Sequence, residues 1–180
     1  LPAIASPVKR MTFNEKLKWT AMILVLYFLM AQIIVFGAAP TTLGQLRFLE
    51  ILLGSSFGSL MSLGIGPIVT ASIILQLMVG SKIVPWDLQT ENGKILFQGT
   101  QKLLGIVFSF GEAVIFVSLG AVPAASADFA WMVMLQLAAG GILVIFMDEV
   151  ISKWGFGSGI GLFIVAGVAK TILVRTFNPL

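Results

Sequence analysis

The sequence predicts an all-α integral membrane protein, because it is rich in apolar residues, poor in charge, and holds several uncharged runs long enough to cross a bilayer. Hydrophobic residues make up 58% of the 180-residue chain and charged residues 11%, with a mean hydropathy of +1.03. Soluble domains carry about 25% charged residues, so this chain has too few to coat a water-facing surface. A helix of about 20 apolar residues spans the ~30 Å hydrocarbon core, whereas a soluble helix of that length carries a polar face. The net charge of +3 is too small to suggest nucleic-acid binding. There are no cysteines and no histidines, which excludes a disulfide framework and the usual transition-metal sites. No metal site, no cofactor and no enzymatic activity is expected.

Residues 1–18 form a basic arm with Lys9, Arg10, Lys16 and Lys18. Phe13 and Leu17 alternate with these charges as in an interfacial amphipathic helix. A signal peptide is the alternative, but the apolar run that follows is too long for one and no cleavage site stands out. The first span is expected at 19–38, closed by Gly37, Ala38, Ala39 and Pro40. The next uncharged stretch, Ile51 to Ser81, is too long for one span, and its Gly54-Ser55-Ser56-Phe57-Gly58-Ser59 run is a poor helix interior. It divides into an outer segment, 39–58, holding a short re-entrant helix, and a second span, 59–80. Irregular backbone at membrane depth is tolerated only beside protein or a water-filled cavity, so the break itself points to function. A polar loop at 81–101 leads to a third span at 102–122. An outer loop at 123–128, a fourth span at 129–147, a second polar loop at 148–156, a fifth span at 157–174 and an outer end at 175–180 complete the chain.

Charge sets the orientation. One side collects Lys9, Arg10, Lys16, Lys18, Lys82, Lys94, Lys102 and Lys153, the other only Arg47, Lys170 and Arg175. The basic side is expected to be cytoplasmic, with the N-terminus inside.

Few residues could carry chemistry. The glycine-rich run Gly155 to Gly161 follows a helix rather than a strand, which fits close packing at a helix start better than a phosphate cradle. Glu112 is the one acid in the middle of a span, where an ionisable group must face protein or water. It is expected to make a structural or gating hydrogen bond, a proton relay being the alternative. Gly66-Pro67 falls inside the second span, where proline removes a helical hydrogen bond, so a kink is expected there. Ile65 and Val69 lie four apart, as do Ile160 and Ile164, so each pair shares a helix face; spacing alone does not separate a pore lining from ordinary packing.

These motifs occur in one order along nearly the whole chain. Gly64-Ile65-Gly66-Pro67-Ile68-Val69-Thr70-Ala71, Gln76-Leu77, Phe97-Gln98-Gly99, Gln101-Lys102-Leu103, Asp148-Glu149 and Gly157-Ser158-Gly159-Ile160-Gly161-Leu162-Phe163-Ile164 resemble the SecY family, in its archaeal wording. The resemblance implies one half of a ten-helix inverted-repeat channel: five transmembrane helices plus a short plug helix. It implies a pore ring to which Ile65, Val69, Ile160 and Ile164 contribute. It implies a plug over Arg47, Phe48, Leu49, Glu50, Ile51, Leu52, Leu53, Gly54, Ser55, Ser56 and Phe57, and a lateral gate with Thr70 and Glu112. The implied activity is passage of unfolded secretory polypeptides across a cell membrane and lateral release of membrane segments. Implied partners are SecE-type and small beta-type subunits, the lipid bilayer, signal sequences, and a ribosome with its nascent chain, which would be the route to any nucleic-acid contact. A secondary-transporter half, with a broken helix at the substrate site, is the competing reading.

Overall fold

A computed structural model describes residues 4–39 and 57–177, and the described residues hold five α-helices. Helix α1 covers Phe13–Met30, α2 Gly66–Gly80, α3 Glu91–Ser118, α4 Ala127–Trp154 and α5 Gly159–Phe177. The two longest, α3 and α4, are long and apolar enough to cross a membrane, while α2 and residues 159–173 are shorter apolar helices. Helix α3 packs along both α2 and α4, and α1 and α5 lean on α4, so α4 is the common wall.

Several boundaries differ from the sequence expectation, each for a local reason. The arm and the first span share one helix: α1 begins at Phe13, where Glu15 reaches back to accept the Thr12 N–H at 2.8 Å. That bond serves a donor the helix itself leaves unpaired. The helix stops at Met30 rather than 38. The residues beyond it pair with other backbone instead: Val35 N–H donates to Gly58 O (2.9 Å), Leu60 N–H to Ile33 O (2.8 Å), Ala39 N–H to Pro123 O (2.7 Å) and Ala125 N–H to Gly37 O (2.8 Å). The Gln136 amide of α4 completes the layer, accepting from Phe36 N–H and donating to Phe36 O, both at 3.0 Å. These bonds pair the polar groups of backbone that has left the helix. At the other end, α3 starts well before the apolar stretch, at Glu91, because Thr90 Oγ1 accepts the Gly93 N–H at 3.1 Å.

The expected kink at Gly66 and Pro67 is not formed. Residues 60–65 are turns, and α2 begins at Gly66 with Pro67 in its first turn. Proline is tolerated there because its missing N–H would have had no intrahelical partner. The polar groups of the turn close on themselves, with Ser62 Oγ donating to Ser59 O at 2.5 Å and Met61 N–H donating to Ser59 Oγ at 3.1 Å. At about 1.5 Å per residue, the 15 residues of α2 fall short of the ~30 Å core.

This segment lies against α4 at two adjacent glycines. A Cβ on Gly140 would sit 1.8 Å from Leu60 O, and one on Gly141 would sit 2.8 Å from Ser109 Oγ and 3.2 Å from Leu63 Cδ1. Only a hydrogen fits between Gly140 and the Leu60 backbone, the close approach that small residues give membrane helices.

Candidate functional site

The four isoleucine and valine side chains singled out in the sequence come from two distant stretches, and the fold gathers them. Ile65 closes the turn segment and Val69 lies one turn into α2, the Val69 N–H donating to Ile65 O at 3.1 Å. Ile160 and Ile164 occupy the first turns of α5. All four belong to or pack against a single apolar cluster that includes Ile23, Tyr27, Met147, Ile151 and Phe163. They are not equivalent. Ile65 is 2% exposed, whereas Val69, Ile160 and Ile164 remain half-buried. Tyr27 stacks on Phe163 with ring centroids 4.5 Å apart and joins α1 to the back of this group.

The two polar residues assigned to a gate face each other. Thr70 Oγ1 donates to Glu112 Oε1 at 3.1 Å, linking α2 to α3. Gly66 makes room for the other carboxylate oxygen: a Cβ there would lie 2.7 Å from Glu112 Oε2. Gly66 and Thr70 are four apart and share one face of α2, so the carboxyl group lies across that face. The partner expected for the intramembrane acid is therefore in this chain.

Of the plug stretch, Arg47, Phe48, Leu49, Glu50, Ile51, Leu52, Leu53, Gly54, Ser55 and Ser56 lie outside the described residues. Phe57 is described, and its ring packs on Phe116 at 5.6 Å.

A polar node at the arm end of α4 carried no assigned role in the sequence. Glu149 Oε2 accepts from Lys102 Nζ of α3 at 2.5 Å, while its Oε1 accepts from Lys153 Nζ at 2.9 Å and from Ile4 N–H at 3.1 Å. Lys153 Nζ also donates to Ile4 O at 2.5 Å and Trp154 Nε1 to Ala5 O at 2.8 Å, so the arm is clasped to the helix end. Lys102 further lies 4.5 Å from the Phe146 ring centroid. The adjacent acid, Asp148, accepts the Ile160 N–H at 2.9 Å. The Asp148-Glu149 dipeptide was visible as a motif, but only folding brings Ile4, Lys102 and Ile160 to it. No group of His, Cys, Asp and Glu suited to a metal ion occurs among the described residues.

The fold of this all-helical chain is that of solved channel structures. It superimposes on the structure of a protein-conducting channel with a TM-score of 0.87 and 48% identity, covering 97% of this chain and 40% of that one. Sec61 in the canine ribosome–channel complex gives the same TM-score and identity, covering 97% of this chain and 41% of that one. The SecY family model matches residues 59–179, and the model for the plug domain of Sec61p matches residues 25–58. The chain belongs to the SecY family. Its similarity to the protein translocase subunit SecY of Methanothermobacter thermautotrophicus is 56% identity over 180 residues, all of this chain and 40% of that protein. For the corresponding subunit of Methanocaldococcus jannaschii it is 49% over 179 residues, 99% of this chain and 41% of that protein. The chain spans about two fifths of the length of the curated relatives it matches.

Proposed function

We propose that this chain forms the first half of a SecY-type translocation channel in the plasma membrane. It would supply five of ten spans, with the N-terminal arm on the cytoplasmic side. The observation that carries this reading is the convergence of Ile65, Val69, Ile160 and Ile164 on one apolar cluster from two helices distant in sequence. Branched aliphatic side chains in a narrow ring expel water and so block ions, yet they yield to a passing chain. They make no specific hydrogen bond, which suits a substrate of arbitrary sequence. Residues 47–57 would be the stopper of the idle channel. Thr70 and Glu112 would form part of the seam through which signal sequences and membrane segments leave sideways. SecE-type and small beta-type subunits, and a ribosome with its nascent chain, are the partners this reading calls for; a relative has been solved within a ribosome–channel complex.

Site-specific photocrosslinking in the complete channel complex tests it. A photoreactive residue at 65 or 160, with a stalled secretory chain, should give adducts, and one at Leu143 on the exposed side of α4 should not. Intact transport without adducts at 65 and 160 would return these residues to plain packing.

A further inference from the structure

Helix α5 enters from a turn rich in glycine, with Gly157 at φ +68°, a backbone conformation with little steric preference of its own. Ile160 is only the second residue of that helix, so its position depends on what holds the helix start. The first four N–H groups of a helix lack intrahelical partners. Here a side chain from another helix takes up one of them: Asp148 Oδ1 accepts from Ile160 N–H at 2.9 Å. Contact at this point is direct, since a Cβ on Gly159 would lie 2.7 Å from both Asp148 Cα and Asp148 Oδ1. The rest of the turn is held from α1, where Thr20 Oγ1 accepts the Phe156 N–H at 3.1 Å.

The two neighbouring acids of α4 have separate duties. Glu149 is engaged by Lys102 and Lys153, whereas no salt bridge to Asp148 occurs among the described residues. Asp148 also stands seven residues, two turns, beyond Gly141. Helical positions seven apart share a face. One face of α4 therefore touches the turn segment ahead of Ile65, through Leu63 at Gly141, and the start of α5 carrying Ile160. Both contributors to the constriction are referenced to a single rigid helix.

We infer that Asp148 is a positioning residue of the constriction. Its hydrogen bond to Ile160 N–H and its close contact with Gly159 set where Ile160, and one turn later Ile164, stand relative to Ile65 and Val69. The inference rests on the constriction reading proposed above. A carboxylate suits the task because it is a strong acceptor for a helix N–H at the positive end of the helix dipole.

The test uses the complete channel complex in proteoliposomes and reads the ion leak of the idle channel. Asp148→Leu removes the acceptor at similar volume and should raise the leak on the order of tenfold, the equivalent of one charge-assisted hydrogen bond. Asp148→Asn keeps an Oδ1 acceptor and should return the leak close to the parent's. Thr20→Val loosens the same turn from its other side and should lower the melting temperature without raising the leak. Ile160→Ser, run alongside, reports on the constriction itself. A leaky Ile160→Ser with a parent-like, assembled Asp148→Leu would overturn the positioning role and leave the constriction standing. A tight Ile160→Ser would overturn both. Equal leaks from Thr20→Val and Asp148→Leu would mean general loosening, and would also overturn it. Should Asp148→Leu fail to assemble, Gly159→Ala wedges the helix start away from an intact Asp148 and should leak; a parent-level leak there defeats the inference.

Discussion

A Cβ at Gly66 would lie 2.7 Å from Glu112 Oε2, well inside the 3.3–3.6 Å of the closest favourable carbon–oxygen contacts. Gly66→Ala must therefore push the carboxyl group away by roughly 0.6 Å or more. The Thr70 Oγ1 to Glu112 Oε1 bond is already 3.1 Å long, so a shift of that size in the wrong direction takes it beyond hydrogen-bonding range. Hydrogen bonds between membrane helices are worth about 0.6 kcal/mol on average and up to about 1.7 kcal/mol. Gly66→Ala should therefore destabilise the complete channel by about 1 kcal/mol, with part of that offset by the lower backbone freedom of alanine in the unfolded chain. The same substitution should be neutral or stabilising in a Glu112→Ala background, where the space is empty. Thermal or denaturant unfolding of the parent, both single variants and the double variant in one detergent gives the coupling directly. A coupling of about 0.6–1.7 kcal/mol is expected. Additive effects, with no coupling beyond error, would refute the placement of the Glu112 carboxyl across the Gly66–Thr70 face. Under the proposed gate role, Glu112→Leu should also change ion leak and signal-sequence selection together.

The remaining predictions concern packing and the constriction. Gly140→Ala places a carbon 1.8 Å from the backbone oxygen of Leu60, which no rotamer can relieve. It should destabilise by about 3 kcal/mol, the upper end for overpacking, measured as loss of assembled channel or of melting temperature. Gly105→Ala comes tightly against only the flexible end of Ile145, at 2.9 Å, its backbone neighbour Ile68 Cα lying at an ordinary 3.8 Å, and should be tolerated far better in the same assay. The Tyr27 hydroxyl is buried without a partner among the described residues, a state that costs about 1–3 kcal/mol. Tyr27→Phe keeps the stacked ring and should be neutral or stabilising on thermal unfolding, whereas Tyr27→Leu should destabilise. Replacing both Ile65 and Ile160 with Ser should let small ions through the idle channel in a conductance measurement, and deleting residues 47–57 should raise the leak while transport persists.

The membrane character of the chain is a property of composition and of run length, so it could be read without coordinates. The family could be read as well, because its motifs are contiguous words such as Gly64 to Ala71 and Gly157 to Ile164. Contiguous motifs also named the four aliphatic residues that the fold assembles into one cluster. Hydropathy could not find the ends of the helices, because capping bonds at Thr12–Glu15 and Thr90–Gly93 extend them through polar residues. It also read a kinked span where the chain makes turns, since an apolar turn segment and an apolar helix have the same hydropathy.

Tertiary structure alone decided the pairings over long sequence separation. Glu112 had to have a partner on energetic grounds, but that the partner is Thr70, beside the gap at Gly66, follows from how α2 and α3 cross. Asp148 and Glu149 are neighbours in sequence and point to different elements, since successive residues of a helix turn by about 100°. One is thereby delivered to the start of α5 and the other to Lys102 and the arm. Sequence determined the solvent and the kinship of this protein because both are written in local runs. Which polar groups meet was left to folding, because apolar membrane helices present few local signals of the faces they bury.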